Sequence, residues 1–566
     1  MSAGRRGGGV AGRSLSVRSL AGRSLATLLL GAALLLFLGQ AAGAAENVLR
    51  RSATGELQTL DPQLWTYGQD GNIAQDLFQG LTTLDPQARV VPGQAQSWSV
   101  SADGRRYTFT LRRNLQWSDG RPLDSADFLW SFRRLFDPQT ASPAVALLYV
   151  IRHGREVNRG LKPVTALGVS APDPRTLIID LEHPAPYLLD LLVHRGFPVP
   201  RHVMARHGRA WTKPAHIVSN GAFIFGEWRP GSHVRLLRNP RFHAASTVRL
   251  DAVHHVPVED PKAAVLRYRA GELDVVVTLP SEQIGELRRD FGSQLRLRTQ
   301  LGLEYLAFNT RRGPTADVRV RRALSMAIDR ERIVQRITRA GEPAAYCVVP
   351  PGVDHYPQTG CADFAGLTQA ARLTEAKRLL AAAGYGPQRP LALRMRVNNS
   401  DTQRKIALAI SSMWQPLGVR ITLIGSEMKA HQQALAQGDF DVARGAWYGE
   451  DRDALSYLRL LDARAPALNI SGYASGEYQR WLDEADATTD MAARAVFLQR
   501  AESLAMREQP IAPIHIYVSR RLVSPRVEGW VDNARGLHLN RYLSLRPSTS
   551  SIHSPAAPTT IPARRP

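Results

Sequence analysis

The segment FDVARGAWYGEDRDALSYL, Phe440 to Leu458, crowds Arg444, two aromatics and the acids Glu450, Asp451 and Asp453 into a few residues. Three chemistries use such a set: acids that ligate a metal, a carboxylate that moves a proton, and a carboxylate that pairs with a ligand's cationic group. The metal reading lacks a ligand set, because no histidine or cysteine accompanies the acids. The proton-transfer reading lacks companions, since the chain has no GxSxG elbow, no HExxH helix and no phosphate loop. His254 and His255 are adjacent in a strand-like run and point to opposite faces, so they do not share a metal. A binding protein is therefore expected rather than an enzyme, with no metal and no cofactor.

The elements that must position this segment are legible upstream. LALRMRV (391–397) reads as a strand, and TQRKIALAISSMWQPLG (402–418) as a helix with Ile406, Ile410, Met413 and Trp414 on one side. VRITLI reads as the next strand, SEMKAHQQALAQG as a helix ending near Gly438, and FDVARGAWY as a third strand. A β-α-β-α-β run demands right-handed crossovers and a mostly parallel sheet, whose ligands gather at the carboxyl ends of strands. Trp447 to Asp453 emerge there. Further upstream, RYTFTLRRNLQW alternates Tyr107, Phe109 and Leu111 with polar residues, as in a strand with one buried face. It precedes a helix capped by Asp124 or Ser125.

The whole chain of 566 residues, 44% hydrophobic, is long enough for two or three domains. Five arginines precede an apolar run of 14 residues, Leu25 to Leu38, and small residues follow it. That is the pattern of a cleavable export signal, residues 1–44, with no cysteine nearby to carry a lipid. The formal charge of +22 drops to about +17 once those arginines leave. Export argues against nucleic acid as the partner, and no nucleic-acid-binding motif is recognisable. Cys347 and Cys361 are the only cysteines, close together in YCVVPPGVDHYPQTGC, and bound for an oxidising compartment, so a local disulfide is expected. The Ser, Thr and Pro-rich tail, residues 546–566, reads as disordered.

From Ala45 to about Leu545 the sequence resembles the large extracytoplasmic solute-binding proteins of peptide/nickel ABC importers, the periplasmic oligopeptide-binding proteins above all. The resemblance is carried by NIAQDLFQGL, PGQAQSWSVSADGRRYTFTLRRNLQWSDGRPL, NGAFIFGEWRPGSHVRLLRNPRF, DVRVRRALSMAIDRERIV and FDVARGAW. It implies an α/β fold of the periplasmic-binding-protein type: two mixed-sheet lobes joined by a hinge, plus an extra α/β subdomain. Residues 45–77, 202–301 and 518–545 would form domain I, 78–201 domain II and 302–517 domain III. The implied ligand is a short peptide enclosed by hinge closure; murein peptide, dipeptide, glutathione, haem and nickel complexes are ligands of the same fold. The implied partners are inner-membrane permease subunits with cytoplasmic ATPases, served by a periplasmic monomer.

Residue by residue, the resemblance puts Glu450 where relatives carry the aspartate that pairs with the peptide's amino terminus. Asp451 is a competitor for that role; otherwise Asp451 and Asp453 would shape or solvate the loop. Gly445, Trp447 and Tyr448 match a pocket-lining strand edge, with glycine allowing close backbone approach, and Thr66, Tyr67 and Gly68 match the segment opposite. Of the cations that receive peptide carboxyl termini in the enterobacterial binder, only Arg444 survives. Gln403, Ser325 and Leu435 stand at the other positions. The cysteine pair of those relatives is replaced by Gly302 and Tyr448.

Overall fold

The computed structural model describes residues 46–66, 68–143, 145–386, 388–449 and 451–546. Elements follow in chain order. The first part holds β1 (Val48–Ala53), α1 (Gly68–Leu77), β2 (Thr82–Leu84), β3 (Val90–Pro92), β4 (Ala95–Val100), β5 (Arg106–Leu111) and α2 (Ser125–Phe136). Next come β6 (Val169–Asp173), β7 (Thr176–Asp180), α3 (Leu188–Arg195), β8 (Phe223–Arg229), β9 (His233–Arg238), β10 (Ala252–Pro257) and β11 (Val275–Val276). The last part holds β12 (Leu295–Phe308), β13 (Leu391–Asn398), α4 (Asp401–Trp414), β14 (Val419–Ser426), α5 (Met428–Gln437), β15 (Val442–Tyr448), α6 (Met491–Glu508), β16 (Ile511–Val523), β17 (Val527–Glu528) and β18 (Ser544–Leu545).

The expected β-α-β-α-β unit is β13-α4-β14-α5-β15. β13 pairs in parallel with both β14 and β15, as a right-handed crossover requires. Ile406, Ile410 and Trp414 are buried on one side of α4, and Gly438 closes α5 at φ 65°, a conformation that favours glycine. The sheet does not stop there. β12 joins β15 antiparallel and β16 joins β12, giving ten strands in the order β14-β13-β15-β12-β16-β11-β1-β10-β9-β8. The sheet is thus mixed rather than mostly parallel, because the strands flanking the parallel unit arrive from outside it.

A second sheet, β4-β5-β7-β6, is antiparallel throughout. In β5 the inward set Tyr107, Phe109 and Leu111 is buried, as its alternation predicts. α2 begins at Asp124, whose carboxylate accepts from the backbone N–H groups of Ala126 and Asp127, while Asp127 returns the bond to the Asp124 backbone. Cys347 and Cys361 are joined, closing a loop 14 residues in sequence separation. Inside that loop the buried Glu502 carboxylate accepts from Val348 N at 2.7 Å, Val349 N at 2.8 Å and the Tyr356 hydroxyl at 2.6 Å. Burial pushes the Glu502 carboxyl up, and these donors pull it back. No helix among the described residues is long and apolar enough to cross a membrane.

β12 and β16 run side by side through the middle of the large sheet. Their register breaks between Thr299 and Leu303, after which Leu303 faces Ile516.

Candidate ligand-binding cleft

At that break β12 also meets the end of β15, with Gly302 opposite Tyr448. A Cβ at 302 would lie 2.7 Å from the Tyr448 ring, so glycine is required for the ring to lie there. Tyr448 in turn stacks on Tyr517 of β16, centroids 4.7 Å apart. The absent side chain at 302 thus makes room for the Tyr448–Tyr517 stack.

Beside the stack opens a cleft of about 220 Å³. One wall is the first turns of α1, through Gly68, Gly71, Asn72 and Gln75, with Trp65 ahead of them. Gly71 lacks the Cβ that would press the Trp65 indole at 3.2 Å, and the Arg195 guanidinium covers that indole 3.7 Å from the ring centroid. A second wall is the strand ends, Gln300, Leu301, Tyr448 and Gly449. Ala534, Arg535 and Leu537 close the third side, and His194 of α3 lies between. Burial, then Arg535 and Arg195, push the His194 imidazole down to about 3, so it is neutral at physiological pH.

Tyr448 and Gly68 line this cleft; Thr66 is exposed and does not. Tyr67 and Glu450 lie outside the described residues. Trp447 packs against the main core, and Gln403 sits in the first turn of α4 away from the cleft lining. Gly445 is buried, and a Cβ there would meet the Tyr305 ring at 2.4 Å, so its missing side chain accommodates a core tyrosine. Arg444 donates from Nε and Nη2 to the two Glu304 oxygens at 2.9 and 2.7 Å, and from Nη2 to the Tyr517 hydroxyl at 2.8 Å. Burial lowers the Arg444 pKa, but Glu304 and Tyr517 outweigh it and hold the guanidinium charged. Ser325 is buried against Arg330 Nη2 at 2.9 Å, and Leu435 is buried in the core.

The acids after Glu450 are not solvated. Asp453 is buried and accepts from Arg494 Nη1 and Nη2 at 2.7 and 2.9 Å, a fork-to-fork pair from α6. Asp451 is also buried and accepts from Asp453 N at 2.9 Å. Burial first, then Asp453 and Asp190, raise its carboxyl to about 8, with Arg459 opposing. The Asp453–Arg494 pair joins residues 41 apart in the chain, out of reach of local charge spacing. One group elsewhere has metal-ligand proximity, His153, Glu156 and Glu182, with donor atoms within 4.8 Å of one another. There the Lys162 ammonium approaches His153 Nδ1 at 2.8 Å.

The model of the bacterial extracellular solute-binding proteins, family 5 Middle, matches residues 89–468. The chain is 35% identical to the periplasmic oligopeptide-binding protein OppA of Escherichia coli (strain K12), covering 86% of this chain and 90% of that protein. It is also 35% identical to the probable deoxycholate-binding periplasmic protein YgiS of the same strain, covering 86% and 91%. Among solved structures, the Escherichia coli murein tripeptide-binding protein MppA matches at 34% identity and a TM-score of 0.76, covering 89% of this chain and 99% of that one.

Proposed function

The chain belongs to family 5 of the bacterial extracellular solute-binding proteins, and on that premise we propose that it is the periplasmic substrate-binding component of a peptide ABC importer. The observation that carries the reading is the cleft walled by α1, the β12 and β15 ends and the 534–537 segment. Beside it, β12 and β16 cross together at a register break between Thr299 and Leu303, which would serve as the hinge. Residues 1–44 would be a cleaved export signal without a lipid anchor, and the mature protein a monomer that binds peptide without cutting it. Domains I, II and III would divide as the resemblance implies, with inner-membrane permease subunits receiving the peptide.

In this reading Glu450, which follows the cleft residue Gly449, anchors the ligand's ammonium group. Its charge-assisted bond is strongest where closure excludes water. Calorimetric titration tests this: Glu450→Gln should weaken peptide binding by about 2 to 5 kcal/mol, the scale of a truncated buried pair. N-acetylated peptide should bind the wild type equally weakly. Unchanged affinity in both arms would remove the anchor. Peptide retained by protein isolated from its host, read by native mass spectrometry, supports the transport reading; peptide hydrolysis by pure protein would overturn it.

A wall-derived peptide is the second reading. It is favoured by the absence of an uncommitted cation at the four positions that receive generic peptide carboxyl termini: Gln403 and Leu435 are uncharged, Ser325 is taken by Arg330, and Arg444 is taken by Glu304.

A further inference from the structure

Two residues that line the cleft carry buried donor atoms without a hydrogen-bond partner among the described residues: Trp65 Nε1, Arg535 Nε and Arg535 Nη1. All three are donors, and none of them can accept. The Arg535 side chain is 5% exposed, and it has one carboxylate partner, Asp190, reached through Nη2. That carboxylate is shared, because its other oxygen accepts from Arg452 N at 3.0 Å. The neighbouring His194 is neutral and contributes no negative charge. On the facing wall, Gly68 and Gly71 stand in the first turn of the ten-residue helix α1, where the N–H groups and the helix dipole favour an anion; the buried Asp70 carboxylate of the same turn is engaged by Gln58 N at 3.0 Å.

A buried donor left unmatched costs free energy, and a buried guanidinium with two unpartnered nitrogens costs more than a neutral donor. A carbonyl oxygen would satisfy single donors. A carboxylate presents two acceptor oxygens to the planar guanidinium fork and also meets the positive end of α1.

We propose that Arg535, together with the first turn of α1, receives a carboxylate of the ligand, making the cleft selective for anionic ligands over their amides. This rests on the reading that the cleft is the ligand site, and it names a group that site selects. It places an acceptor of negative charge at the 534–537 end of the cleft, separate from Arg444, whose charge Glu304 neutralises.

The test uses full-length mature protein and three acid and amide pairs in calorimetric titration at low and moderate salt. The pairs are Ala-Glu-Ala against Ala-Gln-Ala, trialanine against its carboxyl-terminal amide, and deoxycholate against its primary amide. At least one acid should bind about tenfold to a hundredfold more tightly than its amide, as for a charge-assisted bond. The pair that shows the ratio identifies whether side-chain, terminal or non-peptide carboxylate is received. Arg535→Gln should bring that ratio close to one, and Arg535→Lys should restore part of it; an undiminished ratio in folded Arg535→Gln would overturn the assignment to Arg535. If Arg535→Gln fails to fold, the wild-type ratio and its decline with salt still decide. Preference for deoxycholate with no peptide bound would leave the carboxylate inference standing and remove the peptide reading. If no acid binds more tightly than its amide, binding of nothing at all included, the inference is overturned.

Discussion

Arg444 and Arg535 lie near the same cleft, both largely buried, and their surroundings differ. Arg444 has a bidentate carboxylate and a tyrosine hydroxyl, so its charge is spent within the protein. Arg535 has part of one carboxylate and two unmatched nitrogens. A buried cation held by its own bidentate carboxylate ties strands together, whereas one with a shared carboxylate is free, on the proposal above, to receive a ligand. Counting partners separates these roles where residue type and burial do not.

The largest expected effect breaks the Arg444 side. Glu304→Ala leaves the Arg444 guanidinium buried and unpaired, and should lower stability by about 3 to 5 kcal/mol in denaturant titration. A loss under about 1 kcal/mol would mean that Arg444 is no scaffold residue. Next, replacing both Cys347 and Cys361 by serine should cost about 3 kcal/mol on the chain-entropy account. That loop carries Asp354, which pairs with Arg452 at 2.6 Å, and Arg452 N reaches the carboxylate that holds Arg535. The double variant should therefore weaken acid-over-amide selectivity, while Glu304→Ala should leave it in place.

Gly445→Ala drives a methyl group toward the Tyr305 ring and should cost about 1 to 3 kcal/mol as overpacking. If ligand affinity falls instead at unchanged stability, Gly445 serves the ligand after all. The smallest effect per step is a pH slope. Asp451 has a folded pKa raised to about 8, so between the ordinary carboxylate range and that value the folded state binds more protons than the unfolded state. Stability is then lost as pH rises through this window, by up to about 1.4 kcal/mol per pH unit. Asp451→Asn should flatten that slope, read as thermal midpoints at pH 5 and pH 8. An unchanged slope would place the titrating group elsewhere.

What the sequence disclosed was local. β13-α4-β14-α5-β15 could be read because each apolar face repeats within one element, and Gly438 and Asp124 cap helices within a turn. The two cysteines were too few to pair otherwise. The cleft was legible only in Gly68 and Tyr448, through a resemblance. Glu304 lies 140 residues from Arg444 and Arg494 lies 41 from Asp453, so no spacing rule links them. Arg535 sits in VDNARGLHL, a stretch without periodicity, and its signal is an unmet donor that exists only once α1 and β12 surround it. At Gly445 a missing side chain in a strand signals close approach without saying by what, and the Tyr305 ring is what the structure puts there.

The strand order carries a consequence for the order of synthesis. β16 stands between β11 and β12, yet it is made after every other strand of the large sheet. Until Ile511–Val523 has emerged, the half built on β1 and β8 to β11 and the half built on β12 to β15 have no shared ladder of backbone hydrogen bonds. The nascent chain would wait with two open sheet edges, the condition that invites mispairing. A truncation ending before residue 511 should therefore aggregate, because the strand that would seal both edges is the last to arrive.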